Sequence, residues 1–79
     1  MNLELGQLSL GMETGQILRW LVANGDLVEA GQVILEVETD KATAEVEAPA
    51  GGRITIVAAE GETVAVGGVL ATIDEGGQS

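Results

Sequence analysis

This sequence predicts an all-β domain: two four-stranded antiparallel sheets packed face to face as a flattened barrel or sandwich, related by approximate two-fold symmetry. Three observations carry the prediction: a repeat at 36 positions, short alternating apolar runs bounded by glycines, and the absence of a sustained helical period. Overlaying the chain on itself at that offset sets residues 8–38 against 44–74. Gly15, Gly25 and Gly31 then fall on Gly51, Gly61 and Gly67, while Leu10 meets Val46, Leu18 meets Ile54 and Trp20 meets Ile56. Val37-Glu38 overlays Ile73-Asp74, and Thr39 to Thr43 is left unmatched at the seam.

Taken in chain order, the first clear strand runs through Ile17 to Val22. Its even positions, Leu18, Trp20 and Val22, are assigned to the inner face and Ile17, Arg19 and Leu21 to the outer, although periodicity alone also admits a short helix over Ile17 to Ala23. Gly25, followed by Asp26, and then Gly31 mark turns. Next, Leu35, Val37 and Thr39 share one face against Glu36, Glu38 and Asp40. Beyond the seam, Ala44, Val46 and Ala48 oppose Glu45 and Glu47. Together these runs form a hairpin with an apolar inside and an acidic outside, which reads first as a solvated face. The second half repeats the scheme, with Ile54 and Ile56 inside, Gly61 before Glu62 as a turn, and Gly67-Gly68 as another. Neither half can bury its apolar face alone, so the two must pack on each other. The hairpin tip is then expected at one end and the outer ends of the two halves at the other.

A chain of 79 residues holds one small domain, here drawn as residues 1–75, with Gly76-Gly77-Gln78-Ser79 as the start of a flexible linker. Composition removes several functions. With no cysteine and no histidine, the chain lacks a thiol nucleophile, the commonest general base and the commonest nitrogen ligand for a metal. The carboxylates alternate along strands rather than clustering with ligand spacing, so neither a metal site nor a self-contained catalytic site is expected. Thirteen acidic residues against three basic ones give a formal charge of −10, which repels phosphate backbones; nucleic acid is not an expected partner. No signal peptide or apolar run long enough to span a bilayer is present, so no membrane association is expected, and the isolated domain is expected to be monomeric.

The third basic residue beside Arg19 and Arg53 is Lys41, the only lysine, at the centre of the unmatched seam. Considered by composition alone, a lone lysine among carboxylates is a surface ion-pair residue. Its position argues otherwise. A two-residue hairpin turn favours Asn-Gly or Asp-Gly, which tolerate positive φ. Asp40-Lys41 breaks that local rule, and such breaks tend to mark function. Trp20, the sole aromatic residue, is assigned to the core; Met12 is expected to be exposed, as a contact or a loop filler.

The runs Gly15-Gln16-Ile17-Leu18-Arg19-Trp20-Leu21, Glu36-Val37-Glu38-Thr39-Asp40-Lys41-Ala42, Ala48-Pro49 with Gly51-Gly52, and Glu60-Gly61-Glu62-Thr63-Val64 resemble the lipoyl domain of the acyltransferase component of a 2-oxo acid dehydrogenase complex. The resemblance covers nearly the whole chain and implies the barrel-sandwich hybrid fold. It further implies that a lipoate ligase or a lipoyl/octanoyl transferase joins lipoate as an amide to Lys41, with Asp40, Ala42, Glu38 and Thr39 as recognition residues. The arm so formed would be reductively acylated by a thiamin-diphosphate-dependent 2-oxo acid decarboxylase, unloaded in the acyltransferase core and reoxidised by dihydrolipoamide dehydrogenase. On this reading the isolated domain is a carrier, not an enzyme. The resemblance also implies that the loop Ser9 to Gly15, with Gly11, Met12, Glu13 and Thr14, is read by the decarboxylase; the family's Met-Pro opening and the Gly-Glu pair of this loop are missing here. Biotinyl carriers place methionine on both sides of their lysine, where this chain has Asp40 and Ala42, and unmodified modules of the same fold need no lysine at the seam. The glycine-cleavage carrier is longer and surrounds its lysine differently. The Glu-Thr-Asp-Lys-Ala-Thr context favours a pyruvate or acetoin system over 2-oxoglutarate. The expected location is the cytoplasm of a bacterium, or the mitochondrial matrix were the source eukaryotic, the first being preferred.

Overall fold

Two strands 36 residues apart, Val33–Glu38 and Val69–Asp74, share the same burial sequence and set the frame of the molecule. The computed structural model describes residues 1–7 and 11–75. Eight strands and no helix occur among them: β1 (Asn2–Glu4), β2 (Thr14–Trp20), β3 (Leu27–Val28), β4 (Val33–Glu38), β5 (Thr43–Glu47), β6 (Gly52–Ile56), β7 (Thr63–Ala65) and β8 (Val69–Asp74). They form two open antiparallel sheets, ordered β1-β8-β6-β3 and β5-β4-β2-β7. Exchanging β8 with β4, β6 with β2, β3 with β7 and β1 with β5 converts one order into the other, which is the expected two-fold relation. The linker assigned to residues 76–79 lies outside the described residues.

The core is made where the two inner faces meet. Ile17, Ile34, Leu35, Val37, Ile54, Leu70, Ala71 and Ile73 are essentially inaccessible, with Trp20, Val22, Val46 and Val64 packed around them. Simple alternation would not bury Ile34 together with Leu35, or Leu70 together with Ala71. Each pair is buried because the strand carries a β-bulge. The β4–β5 register passes from Val33↔Glu47 to Leu35↔Val46 and leaves out Ile34; the β8–β1 register leaves out Leu70 in the same way. An extra residue in one strand bends it and turns two neighbouring side chains inward.

A third bulge has no counterpart in the other half and corrects the facing expected for β2. The β2–β4 register passes from Ile17↔Val37 to Arg19↔Glu36, so Leu18 is the extra residue, whereas β6 and β8 pair without interruption from Arg53↔Asp74 to Ile56↔Ala71. Ile17 therefore points into the core at 1% exposure and Leu18 points out at 43%, the reverse of the alternation read from the sequence. Past the bulge the even positions do face inward: Trp20 is half-buried against the core, with its indole N–H donating to the Ala58 carbonyl at 2.8 Å. The same bulge shifts the repeat by one place before Leu18. Gly15 pairs with Val64 as Gly52 pairs with Val28, so Gly52, not Gly51, is the partner of Gly15.

At the chain's start the correction is larger. Leu3 pairs with Ala71 as Val46 pairs with Leu35, so Leu3 takes the place assigned to Leu10, which lies outside the described residues. Strand β1 thus matches β5 at an offset of 43, while β4 and β8 differ by 36; six of the seven additional residues lie between β1 and Ile17, and Leu18 is the seventh. Hydrogen bonds from Leu5 N to Gly68 O at 2.9 Å and from Ala48 N to Gln32 O at 2.8 Å confirm the equivalence.

These connections also order the ends. The β7–β8 turn, held by Leu5, adjoins the end of the first sheet where β8 starts, and β7 pairs with the start of β2. The β4–β5 turn lies at this end, and the end of β8 beside Asn2 lies at the other.

Gly52 has φ +154° and a Cβ there would lie 2.4 Å from the Asp74 carbonyl oxygen, whereas a Cβ on Gly51 meets nothing nearer than 3.4 Å. Urea unfolding is expected to show Gly52→Ala destabilised by about 2 kcal/mol or more, with Gly51→Ala within about 1 kcal/mol of the parent. Equal effects would contradict the shifted repeat.

Candidate functional site

Beyond the last cross-strand pair, Glu38↔Thr43, the chain reverses through Thr39, Asp40, Lys41 and Ala42. Among the described residues no non-glycine has positive φ, so this is not the mirror-image turn that Asn-Gly would form, and the lysine is accommodated without backbone strain. Thr39 explains how. Its N–H donates to the Ala42 carbonyl at 2.8 Å. Its hydroxyl donates to the same carbonyl at 2.7 Å and accepts from the Ala42 N–H at 3.2 Å, with a longer contact of 3.4 Å from the Lys41 N–H.

Lys41 stands exposed at this turn between exposed Asp40 and exposed Ala42. Its ammonium makes no ion pair: the one salt bridge among the described residues joins Arg19 Nε to Glu36 Oε1 at 3.1 Å on the sheet behind it. Glu38 and Asp40 instead line a groove of about 320 Å³ beside the turn, together with Thr39, Thr14, Gly15, Gln16 and Thr63. Of these, Gln16 and Thr63 fall within the runs that resemble the lipoyl domain but are not among the site residues expected from the sequence. Nothing in their local pattern marks them; they reach the site because β7 pairs with β2, with Thr63 opposite Gln16. The acidic face is continuous with this edge, since Glu36 sits directly across from Glu45. Among the described residues no group of three or more acidic side chains is disposed to hold a metal ion.

The connection between β1 and β2 comes to the same end of the molecule. Thr14 starts β2 and lines the groove, and the Glu13 carbonyl accepts from the Val66 N–H at 2.9 Å. Gly11 and Glu13 are exposed, but Met12 is buried at 6% exposure, contrary to the expectation for it. Its side chain lies over Gly15, where a Cβ would come within 3.0 Å of the methionine methyl and 2.7 Å of Val37 Cγ1. The bare glycine backbone makes the space, and the methionine anchors the connection to the core. Ser9, also assigned to the loop, lies outside the described residues.

The profile of the biotin–lipoyl family, described as "Biotin-requiring enzyme", matches residues 2–73. The chain belongs to the biotin–lipoyl domain family. Among curated relatives, this biotin–lipoyl domain is 45% identical to the dihydrolipoyllysine-residue acetyltransferase component of the pyruvate dehydrogenase complex of Rhizobium meliloti, over 81% of this chain and 18% of the relative. It is 39% identical to the succinyltransferase component of the 2-oxoglutarate dehydrogenase complex of Bacillus subtilis, over 95% of this chain and 18% of the relative. The solution structure of the lipoyl domain of the 2-oxoglutarate dehydrogenase complex from Azotobacter vinelandii superposes with a TM-score of 0.78 at 32% identity, covering 96% of this chain and 98% of that one. The chain thus spans under a fifth of these acyltransferase components, yet almost the whole of an isolated lipoyl domain.

If Met12 is the anchor of the β1–β2 connection, Met12→Ala lowers stability by about 2 kcal/mol and speeds amide exchange at residues 11–13 ahead of the strands. Unchanged exchange there would mean that the methionine only fills space.

Proposed function

We propose that this domain is a lipoyl carrier, with lipoate attached as an amide to Lys41 Nζ, in the acyltransferase component of a 2-oxo acid dehydrogenase complex. The observation that carries the reading is the exposed, unpaired Lys41 at the hairpin tip within Glu38-Thr39-Asp40-Lys41-Ala42. The similarity to acetyltransferase and succinyltransferase components, and to an isolated lipoyl domain, supports it. Asp40 and Ala42, in place of the methionines of biotinyl carriers, favour lipoate over biotin.

The residues present fit that group: a primary amine open to solvent, free of a competing carboxylate, on a turn anchored to a sheet. Bound there, lipoate supplies a dithiolane able to carry electrons and an acyl group, chemistry that a chain without cysteine or histidine lacks. The chain's own residues position it. Strands β4 and β5 hold the base of the arm, and the other end of the 41 Å body leaves room for tethering to the rest of a larger protein. Tethering raises the local concentration of the arm at each enzyme it visits. Those enzymes are a lipoate ligase or lipoyl/octanoyl transferase, a thiamin-diphosphate-dependent decarboxylase, the acyltransferase core and dihydrolipoamide dehydrogenase. The domain itself performs none of their reactions. A pyruvate- or acetoin-type complex is the preferred parent, on the Glu-Thr-Asp-Lys-Ala-Thr context.

Intact mass after expression with lipoate and a lipoate ligase tests this reading. One lipoyl increment per chain, absent in Lys41→Ala, is expected; a biotinyl increment from biotin ligase, or no increment from either, would refute it. Reductive acylation of the product by pyruvate decarboxylating components in preference to 2-oxoglutarate ones is the expected ranking.

A further inference from the structure

Two devices stabilise the turns at Gly25 and Gly61, and the tip carrying Lys41 has only one of them. Gly25 and Gly61 adopt φ of +92° and +89° within their turns. Each of those turns is also clasped by a side chain: Asp26 Oδ2 accepts from Ala23 N at 2.9 Å, and Glu62 Oε1 accepts from Ala59 N at 2.5 Å. At residues 39–42 there is no glycine and no positive φ. The reciprocal main-chain bond from Ala42 N–H to the Thr39 carbonyl is absent, and the Thr39 hydroxyl takes its place.

We propose that Thr39 is a positioning residue for modification of Lys41: its hydroxyl, by bonding the Ala42 carbonyl and the amides of Ala42 and Lys41, fixes the direction in which the lysine leaves the hairpin. The hydroxyl is suited to this because it donates and accepts at once. A carboxylate or the carbonyl of an amide accepts without donating; valine, of the same shape, does neither. A negative-φ turn does not match the twist of a two-stranded hairpin. The hydroxyl is what lets such a turn persist with a long, exposed side chain at its centre. The modifying enzyme must then meet a lysine held at its backbone and mobile only beyond it, which lowers the ordering required on binding. This rests on Lys41 being the lipoylated residue.

The reaction is an acyl transfer in which a lipoate carboxylate oxygen bonds the α-phosphorus of ATP and pyrophosphate leaves, giving lipoyl-adenylate. The free Lys41 amine attacks its carbonyl, the N–C bond forms, AMP leaves with the electron pair of the broken bond, and Nζ releases a proton to solvent.

The test compares wild type, Thr39→Ser, Thr39→Val and Thr39→Ala, measuring the initial rate of lipoylation by mass with a purified lipoate ligase, and Ala42 amide exchange by NMR in the unmodified chains. Thr39→Ser is expected to stay within about twofold of wild type on both readings. Thr39→Val and Thr39→Ala are expected to lipoylate about fivefold more slowly and to exchange the Ala42 amide faster by a similar factor, while the strand amides are unchanged. A Thr39→Val rate equal to wild type overturns the proposal, as does a Thr39→Ser rate as low as that of Thr39→Val. Should valine prevent folding, the alanine variant decides by the same criteria. Failure of the wild type to be lipoylated refutes the carrier reading instead, and Ala42 exchange then decides the clasp by itself.

Discussion

Mutual burial of two half-chains is the constraint on which everything else in this domain depends. Each sheet offers an apolar inner face that is too small to stand alone, and the pairing of Ile34, Leu35 and Val37 with Leu70, Ala71 and Ile73 closes both. Burying one such branched side chain is worth roughly 2 kcal/mol, so a core whose one aromatic neighbour is the half-buried Trp20 must collect many of them from few positions. The matched bulges at Ile34 and Leu70 do this by turning consecutive residues inward. Because the two faces are equivalent, the molecule has two equivalent ends. One carries the Thr39–Ala42 turn, and the other the outer ends of β1 and β8.

The proposed site lies where the symmetry fails. The first half has six more residues between β1 and Ile17 than the second has between β5 and Ile54, and the described Glu13 and Thr14 of that connection lie at the end that carries Lys41. The additional Leu18 in β2 lies on the same sheet as the tip. On the opposite sheet, β6 runs without interruption. A scaffold duplicated for packing has thus been elaborated on one side only, next to the residue that the proposed chemistry modifies. Met12 and Gly15 tie that elaboration to the core, so the loop and the turn share one rigid support.

The sequence made the fold class, the repeat and the position of Lys41 at the hairpin tip legible, because all three rest on periodicity and glycine spacing. Val37, Val46 and Ile54 face inward as alternation predicts. Ile17 and Leu18 do not, since a bulge resets the period by one and leaves no mark in residue type: both are aliphatic, and either could have been the inner one. The match of Leu10 to Val46 failed for a related reason. A fixed offset absorbs an insertion silently, and only the strand pairing identifies Leu3 as the true equivalent. Met12 read as exposed because the space for it is created by the missing side chain of Gly15, a tertiary fact. The turn was legible as an anomaly but not as a solution; that required the hydroxyl geometry of Thr39.

The scaffold holds the base of the Lys41 arm still while leaving the arm free. Nitrogen-15 relaxation of the unmodified domain, with side-chain methylene relaxation of Lys41, measures both in one sample. Backbone order parameters at residues 39–42 are expected close to those of β4 and β5, about 0.85, with the Lys41 side chain well below its own backbone. Backbone values under about 0.6 across the turn would contradict it, because the lysine would then be presented by a flexible loop and the symmetric scaffold behind it would have no part in its placement.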